Sequence, residues 1–348
     1  MAFKRNYEMT KSDRVYFYVN GPSRLLMAGV IANEQYKQAE KHLILLDQFG
    51  YNYDRLLPVL GNDFKSINRL KLRARKYSHI NQFFSCYFGR FSGLRHVFKP
   101  RSDVILFGLR SPAQKFIIRY NKALKNRVLI YAESLAVDKY FLSGRGDGWT
   151  TRFLRRLFRR AFDYQRDYDV FYLFCKDVYA GSPYSGNIEQ MYDLFGSKTF
   201  YRYAKKLTSH LDLIALAQHE IVLLGQPLSN FDNVIQRADE EKLLMDIVGD
   251  HKVLVLPHPN EILKDDNKYN VLPNATVLIE KVPSDLILAL IKPRKTVIFS
   301  STIGVTYALS NPNAESYFFP IFRSQAAMLS RYKEHVPNMV IDESHVLG

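Results

Sequence analysis

The sequence predicts an α/β protein of two Rossmann-like domains, each built on a parallel sheet and facing the other across a cleft. Three observations carry that expectation. Short β-branched and aromatic runs alternate with segments of helical spacing, most cleanly after His219. The chain is 348 residues long, enough for two domains with a core each. Apolar residues make up 47% of it and aromatic residues alone 14%, ample material for burial.

The elements follow in order. Val15–Val19 reads as a strand, Asn20-Gly21-Pro22-Ser23 as a turn, and Arg24–Lys41 as a helix. Leu43–Leu46 is a second buried strand, and the basic stretch after it reads as mainly helical, with one helix over Ser66–Tyr77. Val104–Gly108 and Val128–Tyr131 are two further strands, and Ser143–Gly148 is a glycine-rich loop. Past His219 come strands at Ile221–Leu224, Lys252–Leu256, Thr276–Ile279 and Thr296–Phe299, and a last one at Ser316–Phe319. Helices over Asn233–Val248, Ser284–Ile291 and Ile303–Leu309 separate them. The division falls at 215–216: residues 1–215 form an N-terminal domain with basic helical insertions and 216–348 a C-terminal Rossmann-like domain, whose last residues would return to the first.

Composition narrows the classes. The two cysteines, Cys86 and Cys175, make no disulfide framework and lack metal-ligand spacing, which suits a reducing compartment. The first residues carry charge without an apolar run, so no secretory signal is read, and no run approaches spanning length. The expected location is cytoplasmic. The net charge of +15 is concentrated: 24 Lys/Arg against 5 Asp/Glu fall between Lys65 and Arg166. Such a field attracts nucleic acid, anionic lipid or acidic glycans.

Three segments past predicted strands carry groups suited to a ligand at the carboxyl edge of a sheet. Gly225-Gln226-Pro227 offers close backbone approach and an amide, or is simply a strand-to-loop turn. His258 lies between Pro257 and Pro259; its imidazolium suits a phosphate oxygen or a proton for a leaving group, though a turn histidine would look the same. Ser300-Ser301-Thr302 brings three hydroxyls to a helix start, an anion-binding position as well as an ordinary cap. Between them Glu280 ends a strand, within reach of ribose hydroxyls or of solvent. There is no Gly-x-Gly-x-x-Gly, Walker A loop or His-Glu-x-x-His, so dehydrogenase, NTPase and metalloprotease readings lose their marks.

A Gly-Gln-Pro-Leu strand end, a His-Pro pair and a Ser-Ser-Thr strand-to-helix turn, in that order over about 221–310, resemble the bacterial lipooligosaccharide sialyltransferases and capsule polysialyltransferases. The resemblance implies a GT-B fold and an inverting, metal-independent transfer of sialic acid from CMP-sialic acid to a lipid-linked or capsular glycan, with no cofactor. It implies that the C-terminal domain holds CMP: His258, Ser300, Ser301 and Thr302 at the phosphate and Glu280 at the ribose, with Gly225 and Gln226 lining the site. The family's acidic pair, which supplies the general base, is represented here by Glu133 alone, after Val128–Tyr131 and between Ala132 and Ser134, with Asp138 as the alternative. One carboxylate is chemically sufficient to deprotonate an acceptor hydroxyl.

Within 149–166, Phe153, Leu154, Leu157, Phe158 and Phe162 share one helical face, and Arg152, Arg155, Arg156, Arg159 and Arg160 the other. Arg152–Phe162 therefore reads as an interfacial helix for an anionic membrane, or as a helix packed on the domain with solvated arginines. Other readings stay open: a GT-B transferase using another CDP- or CMP-activated donor, a basic nucleic-acid-binding protein, or a scaffold without activity. No RNP, KH, zinc-finger or helix-turn-helix signature accompanies the charge, so nucleic acid is not expected as a partner.

Overall fold

The computed structural model describes residues 12–47, 53–71, 97–108, 112–132, 168–180, 187–191, 193–228, 235–258, 261, 268–280, 282–299 and 301–346. It divides into two compact units, Met1–Lys176 with Gly181–Met191, and Asp177–Ala180 with Tyr192–Gly348.

The first unit is built on a seven-stranded sheet: β1 (Arg14–Val19), β2 (Glu40–Asp47), β3 (Ser66–Lys71), β4 (Asp103–Phe107), β5 (Arg127–Tyr131), β6 (Val170–Leu173) and β7 (Ile188–Gln190). Its spatial order is β3-β2-β1-β4-β5-β6-β7 and its pairings are parallel. Helix α1 (Pro22–Glu34) connects β1 to β2, a short α2 (Leu57–Leu60) precedes β3, and α3 (Pro112–Ala123) connects β4 to β5. Val15, Phe17, Val104–Phe107 and Val128–Tyr131 are all buried, as expected of parallel strands covered on both faces. Where β4 begins, the buried Asp103 carboxylate accepts from Ser12 Oγ (2.8 Å), Tyr36 Oη (2.7 Å) and Arg127 Nε (2.9 Å). Burial and that carboxylate together push the Tyr36 phenol far above its usual range, so it remains a donor.

The second unit is built on a six-stranded sheet: β8 (Ile221–Leu224), β9 (Val253–Leu256), β10 (Ala275–Val277), β11 (Lys295–Ile298), β12 (Glu315–Phe318) and β13 (Met339–Ile341). The order β10-β9-β8-β11-β12-β13 is again the doubly wound one, with parallel pairings. Helices α4 (Lys198–Leu207) and α5 (Leu213–Leu216) precede it, and α6 (Arg237–Val248), α7 (Ser284–Ile291), α8 (Thr302–Ser310) and α9 (Arg323–Lys333) lie between its strands. Leu223, Val255, Leu243, Leu244, Val248 and Phe299 belong to the core formed on it. Helices α4 and α5 both pack on α7 and belong to this unit.

Several expectations need correction. Ser66–Lys71 is a strand, not the start of a helix over Ser66–Tyr77. Residues 66–70 alternate between half-buried and exposed, and the strand pairs with β2 from His42↔Ser66 to Asp47↔Lys71. Lys, Arg and Leu favour a helix in isolation, but they are equally suited to a sheet edge, where pairing on one side decides. The first helix ends at Glu34 rather than Lys41 because β2 begins at Glu40, whose carboxylate receives Arg14 Nη2 (3.0 Å) across the pair. Ser316–Phe319 is not the last strand: α9 and β13 follow it. Arg152–Phe162 and Ser143–Gly148 lie outside the described residues. Among the described residues no helix is long and apolar enough to cross a membrane.

Asp285, in the first turn of α7, is a buried carboxyl beside a small cavity lined by Phe195, Tyr201, Leu288, Thr306 and Tyr307. Burial pushes its pKa from 3.8 up to about 6, partly offset by its own backbone N–H. The folded state therefore binds this proton more tightly than the unfolded chain. The ionisation penalty is absent below pH 3.8, grows as pH rises, and is complete above about pH 6. Its full size is about 3 kcal/mol. Asp285→Asn is expected to stabilise the protein by up to that amount at pH 7.5 and by nothing measurable near pH 3.5. Urea unfolding at the two pH values checks this, and an equal gain at both would refute it.

Candidate functional site

Strand order reverses between β8 and β11, and ligands of open α/β sheets bind outside the carboxyl ends of strands at such a point. The register is level there. Leu224, the last residue of β8, stands between Leu256 of β9 and Ile298 of β11. The segments that follow, Gly225-Gln226 after β8, Pro257-His258 after β9 and Phe299 after β11, thus leave the sheet side by side. Sequence reasoning chose all three, and the sheet makes them neighbours.

On the β11 side, Ser301 is the N-cap of α8. Its backbone is extended and its Oγ accepts from Ile303 N (3.3 Å). The nine-residue helix presents its positive end at the switch point, with Thr302 first in its turn. Gly304 is required by packing: a Cβ there would lie 2.6 Å from Cδ1 of Ile298. Ser300 lies outside the described residues.

On the β8 and β9 side, Gly225 N donates to Leu256 O (2.9 Å). Glycine is obligatory here, since a Cβ would stand 2.3 Å from Tyr269 Oη, 2.5 Å from Glu261 Oε2 and 2.9 Å from the Cα of Pro257. His258 is half-buried, its N–H donates to Glu261 Oε2 (2.6 Å), and Glu261 N donates back to His258 O (2.8 Å). That reciprocal pair has the spacing of a helix capping box with Pro259 in its second place.

Beneath these segments lies a buried ionic cluster that sequence reasoning did not find. Lys268, 1% exposed, donates to the backbone oxygen of Gln226 (2.6 Å) and to Glu240 Oε1, and is ion-paired with Glu261 Oε1. Tyr269 Oη donates to Glu261 (3.1 Å), and Lys268 Nζ sits 5.1 Å from the Tyr269 ring centroid. Burial pushes the Glu261 carboxyl up, while Lys268, His258 N–H and Tyr269 pull it back. The one signal legible beforehand was Glu261, three residues after His258. Lys268 comes from a short turn and Glu240 from α6, neither of them at a strand end.

Glu280, half-buried beyond β10, has its Oε2 3.4 Å from His210 Nε2. Glu133 and Asp138 lie outside the described residues; β5, which precedes them, ends at Tyr131 on the carboxyl edge of the first sheet.

No family model and no curated protein sequence matches the chain. Solved structures do. An α/β-galactoside α-2,3-sialyltransferase from Photobacterium phosphoreum is 13% identical, with a TM-score of 0.56 over 95% of this chain and 98% of its own. A UDP-glucosyltransferase from Polygonum tinctorium is 10% identical, with a TM-score of 0.62 over 97% and 87%. The UDP-GlcNAc 2-epimerase of Neisseria meningitidis is 11% identical, with a TM-score of 0.57 over 91% and 85%. At these identities the likeness is one of fold, and the fold is GT-B: two α/β units, each on a parallel sheet.

Proposed function

We propose that this chain is a glycosyltransferase, specifically an inverting, metal-independent sialyltransferase that carries sialic acid from CMP-sialic acid to a bacterial surface glycan. The observation that carries the reading is the level register of β8, β9 and β11. It sets Gly225-Gln226, His258 and the Ser301-capped helix around one switch point. An imidazole, hydroxyls and a helix N-terminus are the groups needed to neutralise a departing nucleotide phosphate without a cation.

In this reading His258, Ser300, Ser301 and Thr302 stabilise the CMP phosphate and Glu280 meets the ribose. The C-terminal domain from about 216 holds the donor, and the N-terminal domain holds the acceptor. Glu133, or Asp138, takes the proton of the acceptor hydroxyl as its oxygen attacks the anomeric carbon, and the C–O bond to CMP breaks with its electron pair going to the phosphate. Arg152–Phe162 would set the enzyme on anionic lipid of the inner membrane, close to a lipid-linked acceptor.

Titration calorimetry decides the donor class. CMP is expected to bind with the same affinity in the presence and absence of chelator, and UDP-GlcNAc to give no saturating heat. Loss of CMP binding in chelator would refute the metal-independent mechanism. Preference for UDP-GlcNAc would replace the reading with that of a UDP-sugar enzyme.

A further inference from the structure

The buried cluster below the switch point joins two of its three segments. Gln226, after β8, is held through its carbonyl by Lys268 (2.6 Å). His258, after β9, is held through its N–H by Glu261 (2.6 Å), whose other oxygen is also paired with Lys268. One ammonium thus connects the backbones of both segments, with Glu240 of α6 as a further partner. Lys268 and Glu261 side chains are each 1% exposed, so neither is available to a ligand directly.

A structural purpose alone does not require this chemistry. Replacing a buried ion pair by apolar groups of similar volume is often neutral or stabilising, so stability alone does not account for the charges. Their geometric effect is specific. A carboxylate that accepts a charge-assisted bond from His258 N–H limits the backbone rotation that aims the imidazole, and Gly225 lacks the Cβ that would push Glu261 and Tyr269 aside.

We propose that Glu261 is a positioning residue of the donor site. It fixes the backbone of His258, and Lys268 keeps that residue in register with Gln226. This rests on the donor-site reading above, which it extends by assigning the residues that preorganise the phosphate contact.

The test uses the full chain, with Glu261→Gln as the main variant, since it keeps the volume and an acceptor oxygen but removes the charge. Tyr269→Phe is the milder second variant; it deletes one donor to Glu261 and leaves the ring in place. Two readouts are taken. The first is binding of CMP against cytidine, which lacks the phosphate. Glu261→Gln is expected to weaken CMP about 10–100-fold and cytidine by less than about 3-fold, since the lost contribution belongs to a charged hydrogen bond at the phosphate. Tyr269→Phe should move the same ratio in the same direction by a smaller factor.

The second readout needs no ligand. With histidines ¹⁵N-labelled, nine backbone amides are observed, and His258→Ala identifies the one of interest. Bonded to a buried carboxylate, the His258 amide is expected downfield and slow to exchange in the parent protein. In Glu261→Gln it should move upfield and exchange faster. An unmoved amide, or equal losses for CMP and cytidine, overturns this inference alone. A parent protein that binds neither nucleotide nor nucleoside overturns the donor reading and with it the role of Glu261, while the amide still decides whether Glu261 fixes His258. If Glu261→Gln does not fold, the same outcomes are read from Tyr269→Phe.

Discussion

Glu133→Gln is expected to lower turnover about 10²–10⁴-fold and to leave CMP affinity unchanged, the signature of a general base that acts on the acceptor and not on the donor. Glutamine preserves shape and hydrogen bonding and cannot accept the proton. The matching variant, His258→Ala, is expected to weaken CMP binding as well as turnover, since a charge-assisted bond to phosphate is worth roughly 1.5–3 kcal/mol. Steady-state rates with CMP-sialic acid and galactosyl- or sialyl-terminated acceptors, set beside calorimetry, separate the two patterns. An active Glu133→Gln with an inactive Asp138→Asn would move the base to Asp138. Full activity in both, with the proteins folded, would refute an N-terminal carboxylate base altogether.

Lys268→Met is expected to destabilise the protein by about 3–5 kcal/mol at neutral pH, the range for removing one partner of a buried ion pair. Glu240 and Glu261 would then be buried carboxylates with no cation between them. The pH dependence identifies the cause. Without the ammonium the buried Glu261 carboxyl rises further in pKa, so the folded variant takes up a proton that the unfolded chain does not. The loss of stability should therefore shrink as pH is lowered toward 5. Adding Glu240→Leu should recover part of the loss at pH 7.5, because one of the two stranded charges is gone. Urea unfolding across that range provides the comparison. A loss independent of pH would point to packing, with Lys268 acting through its aliphatic stem.

The two expectations differ in how far the sequence could reach. His258 and the Ser301 hydroxyl were legible because each follows a largely apolar run, Val253–Leu256 and Thr296–Phe299, of the kind a strand buried on both faces carries. The same logic found β1, β2, β4, β5 and β8, and with them the two-sheet class. It failed at Ser66–Lys71, where an edge strand buries little and its helix-favouring residues read by local propensity. It also missed β6 and β7, although Val170–Leu173 is a largely buried run, and α9 and β13, whose burial is spread over isolated positions such as Ala326, Leu329, Tyr332 and Met339.

By itself the sequence determined the class of fold, most central strands, and the segments that follow β8, β9 and β11, because those depend on runs of neighbouring residues. The tertiary structure alone decided strand order, and hence that Gly225, His258 and Ser301 leave the sheet together around one reversal. It alone decided that Lys268 meets Glu240, Glu261 and Gln226. Charged residues scattered along a chain look like solvated surface. Only packing shows that burial has removed the water from around them, and that each charge must then find its partner in the fold.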